Sequence, residues 1–284
     1  MKRVTILLFV NTILFLHLFG QYKKTIPVKN AQYNAVVGRS SFIFVGTILY
    51  MDSTDIDANI RRRKAIVKVD TVIDAFNSSD RNLQAKTVTV IFSSNAPHQN
   101  GKKQVFYTYV WSYGRSVGVI EVKNNFSTIS SGLVKKVADA RQQIADDSLS
   151  AELKRSVIVA RCIVMRVEDS VYNSIFGRSE HNPRFRKAFF QVRQVLKGDP
   201  NLDTLSAFFA SSRDRIWMLA PKMSDSTSAI FLFNQSPFPP SMKLSGLVLL
   251  DSRDVQPEIE IDRIKKLLNS PNKLSVSDKN VRQP

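Results

Sequence analysis

Two stretches of the chain are closely similar, and this repetition limits the folds that the sequence can adopt. Residues 61–73 read RRRKAIVKVDTVI and residues 184–196 read RFRKAFFQVRQVL, with six of thirteen positions identical. The identical pairs are Arg61/Arg184, Arg63/Arg186, Lys64/Lys187, Ala65/Ala188, Val69/Val192 and Val72/Val195. A single recurrence of this kind is typical of a duplicated domain, so we expect two related halves.

The segments around the repeated stretch recur in the same order. Each half contains five strand-like stretches: 40–53, 61–73, 86–94, 103–111 and 116–122, then 155–170, 184–196, 205–212, 228–235 and 245–251. The offset between the copies is 115 positions at the first strand and 123 at the second, because the loop at 173–185 is longer. Such a spacing exceeds the period of about 20 to 50 residues that is typical of solenoid repeats.

Each half then closes with a stretch of helical periodicity. In residues 131–147 the apolar side chains of Leu133, Val137 and Ile144 fall near helical spacing, and residues 257–270 show the same pattern. The polar segment 146–155 is predicted to be a linker. We therefore predict domains at 21–148 and 149–269, with a disordered tail at 270–284.

Five short strands with alternating apolar residues predict a small barrel, and a five-stranded, partly open barrel is the OB arrangement. The predicted fold is mostly β. It consists of two tandem five-stranded OB-like barrels, each followed by a C-terminal α-helix.

A family resemblance lies in the strand sequences VIVARCIVMRVEDS (157–170), AFFQVRQVLKGD (188–199) and FVGTIL (44–49). These strings resemble the opening of bacterial domains related to tissue inhibitors of metalloproteinases and the netrin module, without the family's N-terminal cysteine. The resemblance implies an OB-like barrel with a trailing helix. It does not imply protease inhibition, because the predicted mature chain begins QYKKTIPV and has no cysteine there.

The first twenty residues have a basic start and an apolar run, which is typical of a secretory signal peptide. Asn11 and His17 interrupt the run, which falls short of a comfortable membrane span of about 20 apolar residues. We predict a secreted or periplasmic protein with no stable membrane insertion after cleavage; an uncleaved anchor is the alternative. The chain has one cysteine, Cys162, so a hydrophobic core rather than disulfides must stabilise it.

The chain is strongly basic, with 41 Lys and Arg residues, 24 acidic residues and a formal net charge of +17. Such a surplus attracts polyanions such as nucleic acids and acidic glycans. A generally basic soluble protein is the alternative interpretation, because a charge count says nothing about clustering.

Motifs of catalysis and of metal or cofactor binding are missing from the sequence. Beyond the signal segment the histidines are His98 and His181, without metal-ligand spacing, and Cys162 lies within an apolar strand. No G-x-S-x-G motif and no glycine-rich phosphate loop occurs. We predict a non-enzymatic protein without metal or cofactor.

Two sets of residues are candidates for ligand binding. In residues 101–116, strand alternation predicts Tyr107, Tyr109, Trp111 and Tyr113 on one face, flanked by Lys102, Lys103 and Arg115. The second set comprises the repeated basic residues Arg61, Arg63, Lys64, Arg184, Arg186 and Lys187. The alternative roles are packing of the aromatic row under a helix or between domains, and solvated charges that protect strand ends from edge pairing.

The function predicted from these features is an exported binding or interaction protein of the cell envelope, whose ligand is a protein partner or an anionic glycan. The alternative is an extracellular nucleic-acid-binding protein or an OB-type nuclease. Residues 67–74, VKVDTVID, resemble a strand of staphylococcal-type nucleases, but the matching downstream glutamate and arginine cluster are not evident. The sequence does not indicate an oligomeric state.

Overall fold

The computed structural model describes residues 28–56, 61–93, 98–112, 116–123, 126–169, 184–211, 220–238 and 244–270. The predicted signal segment, nearly all of the loop at 173–185, the tail beyond 270, and Tyr113 and Arg115 lie outside the described residues. The chain divides into two compact units, Met1–Ile144 and Ala145–Pro284.

The first unit contains a closed five-stranded barrel with the order β1-β2-β3-β5-β4. Its elements are α1 (Val28–Arg39), β1 (Phe42–Met51), β2 (Lys64–Ala75), β3 (Thr87–Ile91), β4 (Lys103–Ser112) and β5 (Gly118–Glu121), followed by α2 (Leu133–Arg155). Neighbouring strands are antiparallel except β3 and β5, which run parallel. The strands are rich in β-branched and aromatic residues, which favour a pleated, half-buried surface.

The second unit repeats this barrel with equivalent strands. Its elements are β6 (Ile158–Asp169), β7 (Arg184–Lys197), β8 (Thr204–Ser211), β9 (Ser228–Gln235), β10 (Leu247–Leu249), β11 (Val255–Gln256) and α3 (Ile261–Asn269). The order β10-β8-β7-β6-β9 closes through pairing of β10 with β9, and β8 runs parallel to β10. The predicted fold of two OB-like barrels, each followed by a helix, is thus confirmed.

The duplication extends to the strand register. Gly46 pairs with Val69 in the first barrel, and Cys162 pairs with Val192 at the equivalent place in the second. All three irregularities of the β1–β2 ladder recur at equivalent positions of the β6–β7 ladder. The first strands are therefore offset by 116 positions, as from Gly46 to Cys162, rather than by the 115 predicted from the sequence. The register fixes which residues of the two barrels are equivalent.

Each barrel has an apolar interior and a second apolar layer outside. The interior of the first barrel includes Phe44, Val67 and Phe106. Outside it, α1 and the first part of α2 pack on β1 and β4, through a cluster that includes Val37 and Val137. In the second unit, later residues of α2 and α3 cover β6 and β9 in the same manner. The outward faces of the first and fourth strands are thus buried in both barrels.

The helices differ from the sequence prediction in two ways. The segment 146–155, predicted to be a linker, forms the end of α2, because Leu149 and Leu153 continue the apolar helical spacing and pack in the second unit. The boundary between the two units falls within this helix. Helix α1 was not predicted, since its polar sequence VKNAQYNAVVGR has a weak apolar pattern.

Among the described residues, no helix has the length and apolar character needed to cross a membrane.

Candidate functional site

Three exposed aromatic side chains lie at one end of the first barrel. Tyr109 and Trp111 on β4 are 40% and 49% exposed, and Phe76, just after β2, is 83% exposed. Ser41 connects the end of β2 with β4. Its carbonyl accepts from the Phe76 amide at 2.9 Å, and its hydroxyl accepts from the Val110 amide at 3.2 Å. We call Phe76, Tyr109 and Trp111 the aromatic end. Exposed aromatic rings on an OB-like strand can stack on sugars or bases.

A half-buried ion pair supports the backbone beneath the aromatic end. Arg141 of α2 donates from Nε and from a terminal nitrogen to the same oxygen of Asp74, at 2.8 and 2.7 Å, and that terminal nitrogen also donates to the Ser40 carbonyl at 2.6 Å. One guanidinium group therefore ties α2, the end of β2 and the start of β1 together. Arg39, the last residue of α1, adds an exposed cation beside Ser40.

Tyr107 does not belong to this exposed surface. Its side chain is buried under α1, where its ring packs edge-on against the Tyr33 ring and its hydroxyl donates to the Tyr33 hydroxyl at 3.3 Å. Burial raises the pKa of Tyr107, so the phenol stays neutral. Tyr107 packs under α1, which is the alternative role stated above for the aromatic row of β4. We therefore remove Tyr107 from the candidate ligand-binding residues.

The equivalent positions of the second barrel carry no aromatic residue. The strand register aligns Tyr109 with Asn234, and the same offset aligns Trp111 with Ser236. Phe76 aligns with Asp199 by the offset of the second strands. The aromatic end is therefore a feature of the first barrel alone.

The predicted basic residues of the first barrel gather at the opposite end. Arg61, Arg63 and Lys64 lie at the start of β2, and Lys102 and Lys103 lie at the start of β4. Lys103 pairs with Asp70 at 3.3 Å. Because Trp111 lies eight residues along β4 from Lys103, about 26 Å separates them at the usual strand rise. The structure thus places the basic residues and the exposed aromatic residues at different ends of one barrel.

Two of the predicted basic residues of the second barrel, Arg186 and Lys187, contact groups of their own unit. The Arg186 Nε atom lies 2.9 Å from an Asp169 carboxylate oxygen. The Lys187 ammonium group lies 5.2 Å from the centre of the Phe189 ring, and the Arg166 guanidinium lies 4.3 Å from the same centre. Arg184 begins β7. These contacts favour a structural role for Arg186 and Lys187.

The described residues contain no arrangement typical of nucleophilic catalysis. Cys162 is buried in β6, and burial raises the pKa of its thiol to about 12. Within the same part of the chain, no group of three or more His, Cys, Asp or Glu side chains could hold a metal ion.

Sequence reasoning missed two features. Phe76 follows the predicted strand and carried no motif, although a large apolar residue at a strand end is a usable signal. The second feature is a set of three polar residues with buried side-chain atoms, His98, Gln104 and Glu121, of which His98 and Gln104 lie 3.3 Å apart. Gln104 and Glu121 occupy positions that strand alternation assigns to the interior.

No protein-family model matches the chain, and no curated protein matches it.

Proposed function

We propose that this protein is an exported, non-enzymatic binding protein whose first barrel binds an anionic glycan chain. The proposal rests chiefly on one observation. Phe76, Tyr109 and Trp111 expose large parts of their rings at one end of an OB-like barrel, and none of them is needed by the equivalent second barrel.

The chemistry of the first barrel supports a ligand that is both ring-shaped and acidic. Aromatic faces stack on the apolar faces of sugar rings as they do on bases. The basic cluster at the other end of the barrel and the net charge of +17 favour an anionic polymer. A chain of several sugars is long enough to contact both ends, whereas a single sugar is not.

Export supports a glycan over a nucleic acid as the ligand. The signal-peptide pattern of residues 1–20 supports a location in the periplasm or outside the cell, where the proposed site would meet extracellular glycans. The same location, together with the lack of a nucleophile–base pair among the described residues, supports a binding role rather than catalysis.

A binding panel tests the proposal. The full chain is titrated with alginate, a uronic-acid polymer, with neutral dextran, and with a single-stranded DNA oligonucleotide, each at low and at physiological salt. We expect alginate to bind, with an affinity that falls as salt rises, and dextran not to bind. Tighter binding of DNA than of alginate would favour the nucleic-acid alternative, and no binding of any polymer would refute the proposal.

A further inference from the structure

The interior of the first barrel is polar where the second barrel is apolar. Gln104 is 2% exposed and Glu121 is 6% exposed, and each lies two residues from a core position of its own strand. The strand register aligns Gln104 with Ala229 and Glu121 with Leu249, both of which belong to the apolar core of the second barrel. The second barrel therefore closes without polar side chains at the positions of Gln104 and Glu121.

His98 completes the polar group. Its ring stacks on the Phe92 ring with centroids 4.0 Å apart and planes 14° apart, and its Nδ1 atom lies 3.3 Å from Gln104 Nε2. His98 lies six positions before Gln104, and the residue six positions before Ala229 is Met223, which packs in the second core. We call His98, Gln104 and Glu121 the polar plug.

Each member of the polar plug carries a buried atom without a hydrogen-bond partner among the described residues. These atoms are His98 Nε2, Gln104 Oε1 and Glu121 Oε2. Burying an unpaired polar atom is unfavourable, and burying an unpaired charge is more so. The plug is therefore sensitive to protonation.

Groups from each neighbouring element surround the Glu121 carboxyl. The Ser93 hydroxyl donates to the Glu121 carbonyl, and the Ser93 backbone bonds to the carboxyl. On β4, Thr108 is the paired residue, and its hydroxyl donates to the Phe42 carbonyl at 2.7 Å. Burial raises the pKa of Glu121 to about 7, and the bond from Ser93 opposes this shift.

The charged neighbours of the plug lie on the side of His98. Burial first, and then the nearby charges of Arg63 and Lys102, lower the pKa of His98, while its bond to Gln104 acts in the opposite direction. No acidic group contributes to either shift.

We propose that the polar plug is a proton-operated latch at the end of the first barrel. The protonated Glu121 carboxyl keeps His98 packed on Phe92, and the carboxylate loosens this contact. Ile91 pairs with Ile120, so Phe92 lies beside Glu121. A carboxylate requires hydration, but the Glu121 Oε2 atom is buried. Water therefore reaches this atom by displacing the stacked rings of Phe92 and His98.

The two titrating groups act in opposite directions. The pKa of Glu121 is raised in the closed state, so its contribution to closure is complete below about pH 4.5 and is lost as the pH rises through about 7. The pKa of His98 is lowered from 6.5, so its contribution to closure is lost as the pH falls below that value. A test must therefore separate Glu121 from His98.

Hydrogen exchange of the full chain and of the Glu121→Gln variant between pH 5 and 8 makes this separation. The exchange rates are corrected for intrinsic exchange and converted to opening constants. His98 is present in both proteins, so its contribution cancels in the ratio of the wild-type to the variant opening constant. For the amides of Ser93 and Gln104 we expect this ratio to rise about tenfold per pH unit between pH 5 and 7, then to level off. The equivalent amides of Ala210 and Ala229 should show a constant ratio.

A ratio that does not vary with pH at Ser93 and Gln104, or one that rises equally at Ala210 and Ala229, would overturn the proposal. Glu121→Leu, which introduces the residue found at the equivalent position Leu249, is the second variant if the glutamine variant does not fold. Because it has no carboxyl at position 121, it should serve in the same ratio as the glutamine variant does. His98→Phe keeps a ring on Phe92, so its opening should increase with pH more steeply than that of the wild type.

Discussion

At the residue scale, the two barrels carry different residues at the equivalent place where the first strand packs against the second. A side chain at Gly46 would place its Cβ 2.7 Å from a Val67 methyl carbon and 2.8 Å from the Lys68 carbonyl oxygen. Backbone atoms cannot yield as a flexible side chain does, so glycine is required here. The equivalent residue of the second barrel is Cys162, which is accommodated in the core.

We predict that Gly46→Ala destabilises the first barrel by about 1–3 kcal/mol, because overpacking shifts the β1–β2 ladder. The midpoint of urea unfolding, followed by circular dichroism, measures the effect. Gly38→Ala is the matched control, since its Cβ would meet only Ile144 at 3.4 Å and alanine favours the helix. Equal midpoints for Gly46→Ala and the wild type would contradict the steric argument.

At the element scale, the sequence predicted strands better than helix limits. Apolar alternation and the repeated stretch identified the five strands of each half, since both signals are local. The end of α2 was missed because residues 146–155 are mostly polar, and only Leu149 and Leu153 indicate a buried face. The aromatic row was predicted as one face, but the burial of Tyr107 depends on α1, whose position no local pattern shows.

The candidate site could be predicted only in part for a related reason. Lys103 and Trp111 are close in sequence, yet an extended strand carries them to opposite ends of the barrel. The members of the polar plug come from β4, β5 and the segment before β4, and they share no motif. Which residues of different strands face each other follows from strand register, which the sequence indicates only through the repeat.

The contact of Arg141 with Asp74 gives a prediction for helix α2. We expect Arg141→Ala to destabilise the first unit by about 1–2 kcal/mol, because it leaves a half-buried carboxylate without its charged partner. Urea unfolding measures this loss, and the double variant with Asp74→Ala should recover part of it. Arg39→Ala removes an exposed arginine whose side chain, among the described residues, bonds to the Ala35 carbonyl, and it should change stability by less than about 0.5 kcal/mol. Equal effects of the two arginine variants would contradict the role of Arg141.

At the scale of the whole molecule, the duplicated fold is retained while the side chains diverge. Both barrels keep the same strand order, ladder irregularities and outer helices. The first barrel alone has the aromatic end and the polar plug, whereas the second has Asn234 and Leu249 at two of the equivalent positions. The second barrel closes with other residues at these positions, which supports our proposal that the aromatic end binds a ligand.

The affinity of the Trp111→Ala variant for alginate tests this claim most directly. Trp111 is half exposed, so its truncation removes a stacking surface with little loss of packing. Isothermal titration calorimetry compares it with the wild type and with Ile259→Ala, which truncates an exposed apolar residue of the second unit. We predict that Trp111→Ala weakens binding by about tenfold, equivalent to about 1.4 kcal/mol, while Ile259→Ala binds as the wild type does. Equal dissociation constants for all three proteins would contradict the account.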